Sequence, residues 1–259
     1  APYNANFNSA LSFDGNDYIS VPSNSSSNFT IGFWVDGAVG DSTIVGNFSN
    51  VGGLLYGLRI NNSNELLIYA DGWQSLATSI DRYGGWYFIC ITWDGTYLKT
   101  YINNYLESEL TNITANNRGG TSSNSFDRIG ARSSNSYKLN GNLSNVSYFN
   151  TALSSSDIST LYNNGTPETS ISHSPVSWWK LDAGGTTITD YGSGGNNGTN
   201  NGATLVNSPV AVEQWNFTDS AGSNDGSSTT LPISALVRSD LQFESPYSNF
   251  SLNFGLAGN

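Results

Sequence analysis

The stretch Phe29-Thr30-Ile31-Gly32-Phe33-Trp34-Val35 decides the fold class. In extended chain successive side chains alternate between faces, so Phe29, Ile31, Phe33 and Val35 share one side and Trp34 stands on the other. Apolar residues on both sides describe a central strand, covered above and below. Trp86-Tyr87-Phe88-Ile89-Cys90-Ile91-Thr92-Trp93 repeats the pattern, and Asp94-Gly95 turns it into Tyr97 to Ile102, a hairpin signal. Leu54 to Ile60 and Glu65 to Ala70 flank Asn61-Asn62-Ser63-Asn64 and predict a second hairpin. Further toward the N-terminus, Leu11-Ser12-Phe13 and Tyr18-Ile19-Ser20-Val21 flank Asp14-Gly15-Asn16-Asp17. Its Gly and Asn tolerate positive φ, which predicts a hairpin or a bent strand pair.

Composition agrees with an all-β chain. Of 259 residues only 11% are charged, less than half the usual share of about 25%, while Ser, Thr, Asn, Gly and aromatics dominate. Helical bundles need Glu, Lys, Leu and Ala on their faces and are excluded. One short helix is legible: Ser154 is an N-cap with Asp157 three residues on, Ile158, Leu161 and Tyr162 form a stripe, and Gly165 closes it before Pro167. Its expected place is an edge or end of a sandwich. The chain divides at this point into residues 1–166, a sandwich, and 167–259, a β-rich extension in Gly, Ser and Asn. In the extension, Trp179 precedes the turn Asp190 to Thr199 as Trp215 precedes Asp219 to Ser227, an internal repeat. Phe250-Ser251-Leu252-Asn253-Phe254-Gly255 echoes Ser9 to Gly15. The expectation is that the extension packs on the sandwich or on a neighbouring chain.

The formal charge of −11 leaves no basic surface for a phosphate backbone, so nucleic acid is not an expected partner. No apolar run approaches the ~20 residues that span a bilayer, and membrane insertion is not expected. Ala1-Pro2-Tyr3 opens without Met or a charged apolar leader, as in a processed or partial product. Cys90 is alone, which precludes an intrachain disulfide, and it reads as a small buried hydrophobe. With His173 as the one histidine, the usual zinc sets are excluded and neither Ser nor Cys hydrolysis finds a base.

Several separated pieces resemble the laminin G-like group of concanavalin A-like jelly rolls. They are Leu11 to Ile19, Phe29 to Val35, Trp86 to Gly95, Tyr101-Ile102-Asn103-Asn104 and Gly141 to Ser154, in that group's order. The resemblance implies an antiparallel two-sheet jelly-roll sandwich over residues 8–166. Trp178-Trp179-Lys180-Leu181-Asp182 with the Asp190 turn is similar to segments accompanying such domains in marine bacteriophage and algal-virus structural proteins and in environmental secreted proteins. In many of these the tryptophan strand precedes the Leu-x-Phe-Asp-Gly strand, whereas here it follows. This similarity implies a non-enzymatic virion-surface or appendage protein with structural and adhesive roles, self-associating through the extension. The alternative is a secreted carbohydrate-binding module of a larger cell-surface protein. Either would be extracellular or on a virion surface.

Glycan binding needs aromatic platforms beside hydrogen-bonding side chains. Trp73 with Gln74 and Asp71, and Tyr83 with Arg82, fit that chemistry, the alternative for Trp73 being a rim-packing aromatic. No cofactor is expected beyond a structural calcium ion, for which Asp14 and Asp17 bracket a turn rich in carbonyl oxygens. The resemblance adds Asn145 to that set, although Ser144 and Asn145 stand where many relatives carry acidic residues. Turn-forming aspartates with no ion remain the alternative. No catalytic set is legible: the glycosidase Glu-x-Asp-x-x-Glu strand signature is absent, and Glu107-Ser108-Glu109 reads as a solvated hairpin end. Eleven Asn-x-Ser/Thr sequons, Asn24 and Asn47 among them, are glycan acceptors only in a host that glycosylates exported proteins.

Overall fold

A computed structural model describes residues 10–47, 53–70, 72–77, 80, 85–113, 124–132 and 137–206, together with the backbone of four short strands after residue 208. The chain forms two compact units, Ala1–Ser208 and Pro209–Asn259.

The first unit is a sandwich of two antiparallel sheets. In spatial order one sheet runs β10 (Tyr105–Leu110), β9 (Leu98–Ile102), β8 (Tyr87–Trp93), β3 (Phe29–Asp36), β12 (Asn140–Phe149), β1 (Ala10–Asp14) and β16 (Thr204–Val206). A further strand, β13 (Ser177–Trp179), shares one side of β12 with β1. The second sheet runs β14 (Thr187–Ile188), β15 (Gly198–Asn201), β2 (Tyr18–Ser26), β11 (Asn124–Ile129), β4 (Ser42–Gly46), β5 (Gly57–Ile60), β6 (Leu66–Ala70) and β7 (Gly72–Ala77). The chain crosses repeatedly between the layers, as a jelly roll does.

β3 is central, paired with β8 on one side and β12 on the other. Phe29, Ile31, Phe33 and Val35 enter the core between the sheets with Ile91, Leu143 and Ile68, whereas Trp34 joins a separate cluster on the outside of the first sheet. The β5–β6 and β8–β9 hairpins form as the sequence predicts. The Asp14–Asp17 segment differs from a hairpin, because β1 pairs with β12 and β2 with β11, so the turn carries the chain from one layer to the other.

The helix α1 (Ser155–Tyr162) has the predicted N-cap. The Ser154 hydroxyl accepts the Asp157 N–H at 3.2 Å, and the Asp157 carboxylate accepts the Ser154 N–H at 3.1 Å. Its end falls at Asn163 in the left-handed conformation, φ 45°, two residues before Gly165, because Asn also tolerates that region. Its place also differs from an edge plug. Ile158 and Leu161 pack on Trp34, Phe88, Cys90, Tyr101 and Phe149, so the helix covers the outer face of the first sheet.

Residues 177–206 supply β13 to β16 and so extend both sheets. Trp179 is fully buried in the main core, edge-on to Phe126 at 6.0 Å, and its indole N–H donates to the Asn196 carbonyl at 2.9 Å. Asp190 organises the turn that follows. One carboxylate oxygen accepts the Trp178 N–H at 2.6 Å and the Gly192 N–H at 2.8 Å, the other the Asn196 N–H at 2.7 Å. A buried carboxylate committed to three backbone donors is a structural device.

In the second unit β17 (Trp215–Phe217) pairs with β18 (Gly226–Ser228), and β19 (Leu236–Arg238) with β20 (Phe250–Leu252). The Asp219 turn, and Ser9 and residues 253–255 of the terminal echo, lie outside the described residues.

Candidate functional site

The site is built on the outer face of the second sheet, from a row that register dictates. Ser20 pairs with Arg128, Arg128 with Gly46, and Gly46 with Gly57. Beside Gly57, Leu58 pairs with Ile68, so Tyr69 continues the row, and Tyr69 pairs with Trp73. Directly opposed residues point to the same face. Ile129, Val45, Leu58 and Ile68, one position away on each strand, point into the core. The row on the outside therefore holds aromatic and basic side chains at its flanks and two glycines in the middle.

The glycines exist because another piece of chain lies on them. After β11 the backbone bends at Gly130, φ 82°, and Ala131-Arg132 crosses back over the sheet. A Cβ on Gly46 would stand 2.6 Å from the Ala131 carbonyl oxygen and 2.9 Å from the Arg132 Cα. A Cβ on Gly57 would meet the Arg132 Cδ at 3.0 Å and the Trp73 ring at 3.1 Å. Glycine inside a strand commonly marks such close approach.

This crossing brings Arg132 to Arg59, 73 positions earlier in the chain. The Arg59 guanidinium carbon lies 4.1 Å from the centre of the Trp73 ring and that of Arg132 5.2 Å. The same two groups approach Tyr137 at 5.9 and 4.3 Å. Tyr69 meets Trp73 edge-on at 5.0 Å. Asp41 contributes a carboxylate oxygen 3.4 Å from Arg59, and the Arg59 Nε is buried without a hydrogen-bond partner. Stacking on aromatic faces and the Asp41 contact thus hold a guanidinium whose hydrogen bonding is incomplete, a cost usually met at sites with a task. Further along the face Arg128 and Lys138 approach Tyr18 at 5.6 and 5.4 Å.

The profile of the concanavalin A-like lectin/glucanase superfamily matches residues 13–159, more than half of the chain. The chain belongs to that superfamily. Among solved structures, a candidate carbohydrate binding protein from Bacteroides ovatus superposes on this concanavalin A-like chain with a TM-score of 0.59 at 21% identity, covering 77% of this chain. The chain spans 60% of the length of that protein. The heptameric SAP-like pentraxin of Limulus polyphemus gives a TM-score of 0.45 at 14% identity, covering 60% of this chain and 81% of its own. Domain 4 of AbnA, a GH43 extracellular arabinanase from Geobacillus stearothermophilus, solved with arabinotriose, gives 0.49 at 18%, covering 62% and 80%. No curated protein matches the chain.

Within this concanavalin A-like sandwich the sequence-derived candidates separate. Trp73 lies in the cluster just described. Gln74 pairs with core-facing Ile68, so strand alternation puts it on the opposite face of β7 from Trp73. Asp71, Arg82 and Tyr83 lie outside the described residues. Arg59, Tyr69, Arg132 and Tyr137 are the members that sequence reasoning missed. The available signal was Gly57 and Arg59 at alternate positions of a strand whose other residues are apolar.

Asp14, Asp17 and Asn145 do not form one constellation. The Asp14 N–H donates to Asp17 and the Asn16 N–H to Asp14, so both aspartates serve their own turn. Burial pushes the Asp17 carboxyl above the usual range, with the neighbouring Asp14 charge adding to it. Asp14 pairs with Asn140, five positions before Asn145 on β12, a separation of roughly 15 Å along a strand. Asn145 occupies a bulge of β12 at φ 50°, where its side-chain oxygen accepts the Trp178 indole N–H at 3.0 Å. Among the described residues no group of three or more His, Cys, Asp or Glu converges as metal ligands would.

Glu107 and Glu109 lie on β10 in the first sheet, with Glu107 at a bulge and Glu109 paired with Lys99 at 2.9 Å. Cys90 is fully buried under α1, and burial pushes its thiol pKa far up. A thiol so enclosed is not placed for nucleophilic work. Among the sequons, Asn24 and Asn47 are buried with their amides donating to Pro22 and Ser125, so the folded chain does not present them.

Proposed function

We propose that this chain is a non-catalytic carbohydrate-binding module, outside the cell, that holds saccharide on the outer face of the second sheet. The observation that carries this is the Trp73, Tyr69 and Tyr137 aromatic surface, interleaved with the Arg59 and Arg132 guanidiniums and left without the helix that covers the opposite face. Rings offer apolar area to the C–H faces of sugars, and guanidinium N–H groups donate to hydroxyl oxygens. A glucanase would need two carboxyl groups roughly 5–9 Å apart across an open face. Glu107 and Glu109 lie on an edge strand of the other sheet, one of them engaged by Lys99.

A glycan array probed with the full chain, with and without calcium, tests the reading. Saturable binding that Trp73→Ala abolishes, with the melting temperature nearly unchanged, is the expected result. An array silent in both conditions, or binding indifferent to Trp73→Ala, overturns it.

A second reading, a structural component of a virion surface or appendage that self-associates, has support from the sheet edges. Among the described residues β10 ends one side of the first sheet with Tyr105 79% and Leu106 53% exposed. At the other side β16, within the C-terminal extension, exposes Leu205 and Val206. Open edges with apolar side chains template strand pairing between molecules. Sedimentation of the full chain decides: a concentration-dependent oligomer favours this reading, and a strict monomer removes it.

A further inference from the structure

The Trp73 cluster lies on the last strand at one end of the second sheet, and the other end carries a separate cleft. It has a volume of about 240 Å³ and is lined by Leu181, Asp182, Thr187, Ile188, Thr189 and Tyr191. Leu181 and Ile188 are buried members of the main core. Thr187 and Thr189 flank Ile188, so alternation turns both outward, and both are exposed, as is Asp182. Among the described residues, none of these three polar side chains forms a hydrogen bond or ion pair within the chain. Tyr191 is 51% exposed, and of the described aromatics Tyr105 alone exposes more.

The surroundings hold these groups in place. Asp190, next to Tyr191, commits its carboxylate to the Trp178, Gly192 and Asn196 N–H groups. The Tyr191 N–H donates to the Trp178 carbonyl at 2.8 Å, and the two rings meet at 6.0 Å with their planes 61° apart. A Cβ on Gly192 would stand 2.5 Å from the Val176 carbonyl oxygen, so the turn is pressed against the chain entering β13. The Lys180 ammonium, 4.4 Å from the Tyr191 ring centre, donates to the Thr169 carbonyl at 3.1 Å. Leu181 has φ 59°, a region that bulky side chains rarely enter. In that conformation Leu181 is buried while Asp182, the next residue, emerges at the cleft. Rare backbone of this kind concentrates at ligand clamps, and groups arranged in advance bind without first having to be ordered.

From this geometry we infer that the cleft is a second saccharide site and takes one neutral sugar ring. The Tyr191 ring offers apolar area to a sugar C–H face. The Asp182 carboxylate accepts from sugar hydroxyls, and the threonine hydroxyls both donate and accept. Pockets for drug-sized ligands run to about 300–1,000 Å³, so this smaller cleft suits a single ring with the rest of the glycan in solvent. A uronate or sialate would bring its own carboxylate beside Asp182, which sets the class as neutral.

The inference extends the carbohydrate-binding reading above without resting on its Trp73 site. β14 and β7 are the two ends of the eight-stranded second sheet, seven strand spacings of about 4.8 Å, or roughly 34 Å along the sheet. Two weak sites so spaced hold a glycan-coated surface by avidity, and loss of either releases it.

Amide NMR spectra of the full chain, titrated with disaccharides of glucose, galactose and mannose and with the matching uronates, read the two ends separately. With at least one neutral disaccharide the amides of residues 181–191 shift and saturate. Asp182→Asn weakens that response about 10-fold, the worth of one charge-assisted hydrogen bond, and Tyr191→Ala abolishes it. Asp182 is exposed and unpaired, so its variant keeps the test open even where Tyr191→Ala loosens the turn. Trp73→Ala abolishes the response of the β7 amides, and on a glycan array either alanine variant loses retention. If Tyr191 serves only to cover Trp178, the amides of 181–191 stay unmoved by every sugar. That result, with β7 still responding, overturns the inference and leaves the module reading intact. A uronate bound more tightly at the cleft than its neutral parent overturns the assigned class. A folded chain in which neither end responds sinks both readings.

Discussion

The two sheets of this sandwich are alike on the inside and opposite on the outside. Facing each other, they pack one apolar interior from alternating side chains of both layers. Turned outward, the first sheet presents Trp34, Phe88, Cys90, Tyr101 and Phe149 and is closed by α1, whereas the second presents Arg59, Tyr69, Trp73 and Arg128 and is left partly exposed. The difference originates in residues out of phase with the core. Trp34 sits between Phe33 and Val35 and is 1% exposed, so its strand needs a cover. Arg59 sits between Leu58 and Ile60, and its strand has an outer face that water, or a ligand, can meet. Whether a jelly-roll face is structural or available is thus written in the alternate positions of its strands.

Truncating one tryptophan on each outer face would test this contrast most strongly. Trp34→Ala removes a buried ring that packs on Phe88 and Tyr162 at 5.3 and 5.9 Å, and lifts α1 from its seat. A loss of about 3–5 kcal/mol is expected. Trp73→Ala, on a partly exposed ring, is expected to cost about 1 kcal/mol, its larger consequence being on binding. Urea unfolding of both variants measures the difference; similar losses would mean that the second face is as structural as the first.

How far this was legible in the sequence follows from the same residues. The two-sided pattern of Phe29 to Val35 identifies a central strand with no other information, and the Ser154 cap with its Ile158 and Leu161 stripe identifies the helix. What sequence cannot supply is which face the helix covers, since that depends on where the chain returns after β12. The Arg59–Trp73–Arg132 cluster is harder still, because its members lie on β5, on β7 and beyond β11, joined by register and by one backbone crossing. Gln74 was readable: adjacent residues of a strand diverge, so Trp73 and Gln74 cannot share a surface. For Asn145 the nearness to Trp178 is a matter of tertiary pairing, and family position alone points to a metal instead.

Two glycines sharpen the contrast within the open face itself. Gly46→Ala places a methyl group against the backbone of Ala131 and Arg132, which has to move, and a loss of about 1–3 kcal/mol is expected. Gly57 has an extended backbone, φ −164°, and the same substitution meets only the Arg132 stem and the Trp73 ring. Gly57→Ala should therefore cost less than about 1 kcal/mol while displacing the very groups that form the proposed site. Melting curves beside saccharide titrations distinguish them. If Gly57→Ala leaves binding untouched, the arrangement of Arg132 over the sheet is irrelevant to function.

The smallest effect concerns the cover on the other face. Ser154→Ala deletes the hydroxyl of the α1 capping box and is expected to cost about 1 kcal/mol near neutral pH. The Ser154 hydroxyl, then the Ser154 N–H, then His173 at 3.0 Å hold the Asp157 carboxyl below its ordinary value. A carboxyl depressed in the folded chain contributes stability above its unfolded pKa, and that contribution fades as pH falls through the folded pKa. The gap between wild type and Ser154→Ala is thus widest near neutrality and narrows in acid, once Asp157 is protonated in both. Thermal melts across pH, with the Asp157 carboxyl followed by NMR, read both quantities. A gap that stays constant into acid would show that the cap acts through the serine alone, and the helix would then owe its place on the first sheet to Ile158 and Leu161 without help from the charge at its N-terminus.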